Sequence, residues 1–155
     1  MTSKNQLQNR IEQLESELQS FKQQLNNCKE VTIENASVGD TLEDGSIVLK
    51  KENGLALLVA PQSTEVRTTW SQGFSEVFEK LKVNGFNPSQ WFIPTKEQLQ
   101  LAYKTIPDSF SSLYYWSSTE VLATSAWLQG FGTGGIFSYC KALTFCVRPF
   151  RCVTY

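Results

Sequence analysis

The chain holds 155 residues, 41% of them hydrophobic, with 14 basic against 15 acidic side chains and no histidine. That length suits one small domain with an appendage, and the missing imidazole excludes Ser-His and Cys-His catalysis and His-rich metal sites. A net charge of −1 gives no basic field for nucleic acid or anionic membrane, and no apolar run is long enough to cross a bilayer. The N-terminal residues, Met1 to Gln6, have no apolar segment after their charge, so no secretory signal is expected in this chain. An enzyme is not expected, and neither is a cofactor or a bound metal.

Residues 4 to 30 place apolar side chains at Leu7, Ile11, Leu14, Leu18, Phe21, Leu25 and Cys28, in alternating steps of four and three with polar residues between. This is a coiled-coil heptad with Ile11, Leu18 and Leu25 at a and Leu7, Leu14, Phe21 and Cys28 at d. Arg10 with Glu15, and Glu17 with Lys22, occupy g and following e positions, where opposite charges pair across parallel chains in register. The run from Arg10 to Glu15 also resembles the Arg-apolar-x-x-apolar-Glu trimerisation motif of short parallel three-stranded coiled coils, and Phe21 at d suits a wide trimer core. Residues 1–30 therefore read as a parallel homotrimeric stalk of about 40 Å. Its trimerising residues are Leu7, Arg10, Ile11, Leu14, Glu15, Leu18, Phe21 and Leu25. The alternative is a helix that packs back on its own C-terminal domain, for which a wider apolar stripe is usual.

Residues 31–155 read as a separate head. Turn signals at Gly39-Asp40, Asp44-Gly45 and Asn53-Gly54 frame strands near Ser46 to Lys50 and Leu55 to Val59. Helical spacing of Phe74, Val77, Phe78 and Leu81 predicts a helix over 73–84, and Thr95 with Gln98 three residues on predicts a capped helix over 95–103. Short apolar segments at 114–118, 126–131, 136–139 and 142–150, broken by the Gly-rich run 130–135, fit an antiparallel meander. The run 130–135 has neither dinucleotide nor phosphate-loop spacing and reads as a hairpin loop. Cys140, Cys146 and Cys152, six residues apart, lack metal-ligand spacing and read as reduced thiols; a bridge among them stays open, its pairing undetermined.

Six blocks of the head follow, in order, a known pattern: Gly45-Ser-Ile-Val48; Gly54 to Pro61 leading to Trp70; Trp91-Phe-Ile-Pro-Thr95 with Glu97 and Leu99; Tyr115-Trp-Ser-Ser-Thr-Glu120; Ala126-Trp127; and Val147-Arg-Pro-Phe-Arg151. Over residues 38–151 the chain resembles the C-terminal domain family of the Legionella collagen-like adhesin. The resemblance implies an α+β, C-type-lectin-like head on the trimeric coiled coil, and a setting among adhesins, bacterial surface proteins and phage fibre heads. The Glu-Pro-Asn and Trp-Asn-Asp triplets of calcium-dependent lectins are absent from the sequence, so calcium-dependent sugar binding is not expected.

Within that frame Trp91, Trp116 and Trp127 read as core anchors, and Arg148 and Arg151 as structural salt-bridge partners. Glu97 and Glu120 are weighed as a glycosidase pair and set aside. The ligand face that the resemblance implies is built by loops 121–125 and 130–139, whose Ser, Thr, Gly and Tyr side chains suit adaptable recognition. Its residues are Tyr114 and Tyr115 at the rim with Thr124, Ser125, Thr133, Ser138 and Tyr139. The expected function is a virion protein, in first place a phage fibre or receptor-binding head. It would present the head to a host-surface glycan or protein and dock on other virion proteins through its stalk. A cellular surface adhesin and a purely structural capsid or tail decoration protein are the alternatives. A copper enzyme like the distant formylglycine-generating relatives of the fold, using Cys140 and Cys146, is the remaining class.

Overall fold

The heptad segment forms one helix, α1 (Thr2–Asn27). The computed structural model describes residues 2–27 and 31–155, and contacts divide the chain into two compact units, Met1–Glu30 and Val31–Tyr155. The described a and d side chains of α1 are exposed, from 48% at Ile11 and Leu14 to 75% at Leu25. Cys28, read as the last d position, lies outside the described residues.

The second unit begins with irregular chain fastened by Lys51, whose Nζ donates to the carbonyls of Ile33, Glu34 and Ala36 at 2.8, 3.2 and 2.9 Å. Strands β1 (Ile47–Glu52) and β2 (Leu55–Val59) are joined by Asn53 and Gly54, both at positive φ, the two-residue hairpin that Asn-Gly favours. The register shifts between Val48 and Lys50, and the consecutive residues Val48 and Leu49 are buried on different sides. Val48 packs with Ala56 and Leu58, and Leu49 with Val59, Leu99 and Phe150.

The remaining elements are β3 (Val66–Thr68), α2 (Trp70–Val83), α3 (Lys96–Thr105), β4 (Tyr114–Leu122), β5 (Ser125–Gly130), β6 (Ile136–Cys140), β7 (Phe145–Val147) and β8 (Phe150–Thr154). They form a three-stranded sheet in the order β1-β2-β8 and a five-stranded sheet in the order β3-β7-β4-β5-β6. Val77 and Leu81 of α2 pack with Trp116, Ala126, Leu128 and Val147. Leu99 and Ala102 of α3 pack with Tyr115, Cys146 and Phe131. Because neighbours along a strand face opposite ways, the two helices cover opposite faces of the five-stranded sheet. Gly73 permits the approach of α2, since a Cβ there would meet Val147 at 2.9 Å.

The expected hairpin and both helices are present, and α3 starts with the expected capping box: Gln98 N–H donates to Thr95 Oγ1 at 3.2 Å and Thr95 N–H to Gln98 Oε1 at 2.9 Å. The C-terminal meander needs correction. Only β4-β5-β6 is one; β7 runs parallel to β4 and antiparallel to β3. The segment 142–150 is not one strand, because β7 ends at Val147 and, past Pro149, Phe150 begins β8 in the other sheet. Strand β3 was not expected, although Glu65-Val-Arg-Thr68 alternates polar and apolar side chains.

Candidate functional site

The Trp91 and Trp116 blocks are hydrogen-bonded together. Ser118 N–H donates to the Pro94 carbonyl at 2.8 Å, and Thr119 Oγ1 accepts from Lys96 N–H at 3.0 Å, satisfying an amide of the first turn of α3. Between them β4 departs from regular pairing, and Ser117 serves the irregular stretch: its buried hydroxyl donates to the Trp127 carbonyl at 2.6 Å and accepts from Thr119 N–H at 3.2 Å. Trp116 and Trp91 are buried core rings, as expected. Trp127 is half-buried, with Lys96 Nζ 4.7 Å from its ring centre.

This frame carries the β4-β5-β6 meander, in which the expected recognition residues do not form one face. Of 121–125 only Ala123 and Thr124 form the turn, since Leu122 ends β4 and Ser125 begins β5, and 136–140 is strand rather than loop. The two turns lie at opposite ends of β5, five steps of about 3.3 Å or roughly 17 Å apart. Thr124 is exposed and Ser125 half-buried at one end; Ser125 lies opposite Cys140, and Tyr139 opposite Ala126. Tyr139 stacks obliquely on Phe137 and Phe145, whereas Ser138, one residue earlier, faces the side of Trp127. Thr133 and Tyr114 belong to the other end, where both flank Gly130: a Cβ there would meet Thr133 Oγ1 at 2.6 Å and Tyr114 at 2.9 Å.

At the end holding Thr124, the turn also exposes Val121 and Leu122, the latter 67% exposed, and Leu143 joins them through the turn that follows β6. Lys141 braces this tip. Its Nζ reaches Glu120 Oε2 at 2.5 Å and the Ala123 carbonyl at 3.0 Å, and lies 4.1 Å from the centre of the Trp70 ring. The first residues of the second unit, Ile33 and Ala36, pack instead against the three-stranded sheet.

Tyr115 is the clear correction: it is fully buried, not at a rim. Its hydroxyl donates to Glu65 Oε1 and Oε2 at 3.0 and 2.9 Å and accepts from Ser111 N–H at 3.0 Å. Burial raises the Glu65 pKa, opposed by the hydrogen bond from Tyr115 and the charge of Arg148. Burial and the Glu65 charge push the Cys146 thiol up to about 11. Arg148 is structural, as expected, but through carbonyls rather than a salt bridge. Its Nε donates to Ala60 O at 2.8 Å, Nη1 donates to Ser109 O, and the guanidinium lies 4.7 Å from the Phe110 ring centre. Arg151 does form an ion pair, with Asp44 at 3.9 Å, and covers the Trp91 ring at 4.9 Å.

The cysteine pair weighed for copper is not brought together. Cys140 is exposed on the edge strand β6 and Cys146 buried on β7, three strand spacings away, roughly 14 Å. Glu97 and Glu120 are exposed and ion-paired with Lys96 and Lys141. Among the described residues no group of His, Cys, Asp and Glu could hold a metal ion, and no described helix is long and apolar enough to cross a membrane.

Sequence reasoning missed Glu65 and Arg67, which flank Val66 at β3. Arg67 lies opposite Cys146 in the β3–β7 register and lines a cleft of about 290 Å³ with Leu113, Tyr114, Phe145 and Cys146. The polar-apolar alternation of residues 65–68 was the available signal. No protein-family model and no curated protein matches the chain.

Proposed function

We propose that the chain is a homotrimeric virion protein, in first place a phage fibre or receptor-binding head, in which a parallel coiled coil gathers three C-type-lectin-like heads for attachment to a host surface. The observation that carries this reading is the exposed a and d seam of α1 ahead of a separately compact unit. An amphipathic helix of this length owes its stability to burying its apolar stripe, and the g-to-e charges of Arg10 with Glu15 favour parallel copies as the cover. The C-type-lectin-like reading draws support from the places its motif blocks occupy: the Trp91 and Trp116 blocks are bonded to each other, and the last block supplies buried Arg148 and Phe150.

In this reading the recognition surface is the outer meander, with Thr124, Tyr139, Val121 and Leu122 at one end and Thr133 and Tyr114 at the other. Three copies raise weak single-site binding by orders of magnitude on a repetitive target. Sedimentation equilibrium of the whole chain is expected to give three times its 17.5 kDa mass. Purified protein is expected to adsorb to host cells and block infection. A monomer overturns the trimer, and a trimer that neither adsorbs nor blocks leaves the decoration reading in its place.

A further inference from the structure

Seven residues turn a helix through about 700°, close to two full turns, so Arg10 and Glu17 line one edge of the exposed seam of α1 while Glu15 and Lys22 line the other. All four are exposed. Arg10 Nη1 donates to Gln13 Oε1 at 3.2 Å and Gln13 Nε2 to Glu17 Oε1 at 3.4 Å, and among the described residues none of the four charges has an ion-pair partner. The signs run in opposite order along the two edges, positive then negative on one and negative then positive on the other. A parallel copy in register therefore meets Arg10 with Glu15 and Glu17 with Lys22. A slip of one heptad uncovers part of the seam and also sets Arg10 against Lys22 in one direction, or Glu17 against Glu15 in the other. An antiparallel copy can keep the seam covered, Ile11 against Phe21 and Leu18 against Leu14, but that alignment faces Glu15 with Glu15 and Glu17 with Glu17.

We propose that Arg10, Glu15, Glu17 and Lys22 form a register key, which admits a second copy of α1 to the seam only when that copy is parallel and unshifted. Charge complementarity of this kind sets alignment and excludes wrong pairings more than it adds affinity. The apolar side chains supply the attraction, and they alone do not choose between a parallel and an antiparallel neighbour. With the key in place the chains leave their helices level with one another. The key rests on the reading that copies of this chain cover the seam; it does not depend on how many copies there are.

The test is zero-length carbodiimide cross-linking, which joins a carboxylate to an amine beside it, on full chains with and without an isotope label refolded together. Mass spectrometry then counts only links between differently labelled chains. Wild type is expected to link Glu17 to Lys22 and not to Lys29, a residue outside the described ones that a one-heptad slip would bring to Glu17. A double-mutant cycle supplies the second reading. Lys22→Glu and Glu17→Lys each set like charges together in register, and each is expected to lower the melting temperature of the helix. The two together restore opposite charges and are expected to recover most of the loss at an unchanged sedimentation mass. Positions 17 and 22 lie on opposite edges of one helix, so recovery arises between chains. Links to Lys29 as frequent as those to Lys22, or single losses that simply add in the double variant, overturn the key while leaving the copies associated. A dimer that carries the link from Glu17 to Lys22 upholds the key and removes the trimer. A monomer removes both.

Discussion

Glu65 meets the Tyr115 hydroxyl with both carboxylate oxygens, at 3.0 and 2.9 Å, inside the second unit. The pKa of Glu65 lies above its ordinary 4.5 because burial disfavours the charged form. Folded protein therefore holds this proton at pH values where unfolded chain has released it, so stability is greatest below the unfolded value and falls as pH rises through the folded one. Melting temperature measured between about pH 4 and pH 8 is expected to decline across that window on this account, and Glu65→Gln to flatten the decline. Tyr115→Phe, which strands the carboxylate and Ser111 N–H, is expected to cost about 1–3 kcal/mol by chemical denaturation.

Arg148 supplies the opposite charge, bonded to the Ala60 and Ser109 carbonyls and stacked on Phe110. Arg148→Met keeps the stem but leaves two carbonyls and the Glu65 charge without their cation. The expected loss is at least about 1–3 kcal/mol, the cost of leaving a buried hydrogen-bonding group unpaired. Adding Glu65→Gln to Arg148→Met is expected to recover part of it, which a double-mutant cycle in urea would read as coupling.

Replacing Leu14 and Leu18 together by Asp puts two charges into the exposed seam of α1. Sedimentation equilibrium is expected to show dissociated chains, while near-ultraviolet circular dichroism of the tryptophans, all of which lie in residues 31–155, stays native. Unfolding of the head together with dissociation would show that the two units are not independent.

Thr124→Ala and Tyr139→Ala alter exposed residues and are expected to change stability by at most about 0.5 kcal/mol while reducing adsorption to host cells. Trp116→Ala is the contrast, at about 3–5 kcal/mol, because its ring is 1% exposed and its Nε1 donates to Thr68 O at 3.3 Å.

What the sequence reveals here is chiefly what local chemistry decides. The Asn53-Gly54 turn, the Thr95 capping box and the a and d spacing of α1 each need only neighbouring residues, and each was read correctly as local structure. Tyr115 was misplaced because the resemblance set it with Tyr114 at the rim of a ligand face, and which face of a strand is covered is decided by distant elements rather than by neighbouring residues. The five-stranded sheet is covered by α2 on one side and α3 on the other, so Tyr115 and Trp116 are both interior. The split of 142–150 depends on β7 and β8 finding different sheets, which pairing partners far along the chain determine: Thr68 for Phe145, Val59 for Phe150. The scatter of the expected ligand residues has the same origin, since adjacent turns of a meander lie at opposite ends of their shared strand.

The order β1-β2-β8 has a consequence for biogenesis. Leu55 pairs with Thr154 and Val59 with Phe150, a separation of roughly ninety residues that must be closed before the small sheet has its third strand. A ribosome shields the newest stretch of chain, so β2 waits with a bare hydrogen-bonding edge until almost all of this sequence has been synthesised. Pairings that distant are slow to form and leave apolar strands open to wrong partners in the meantime. In the proposed trimer the helix at the other end meets its copies much earlier, which would hold three unfinished heads beside one another at high local concentration. Correct assembly of such a trimer would depend on each β8 reaching the β2 of its own chain sooner than a neighbour's does.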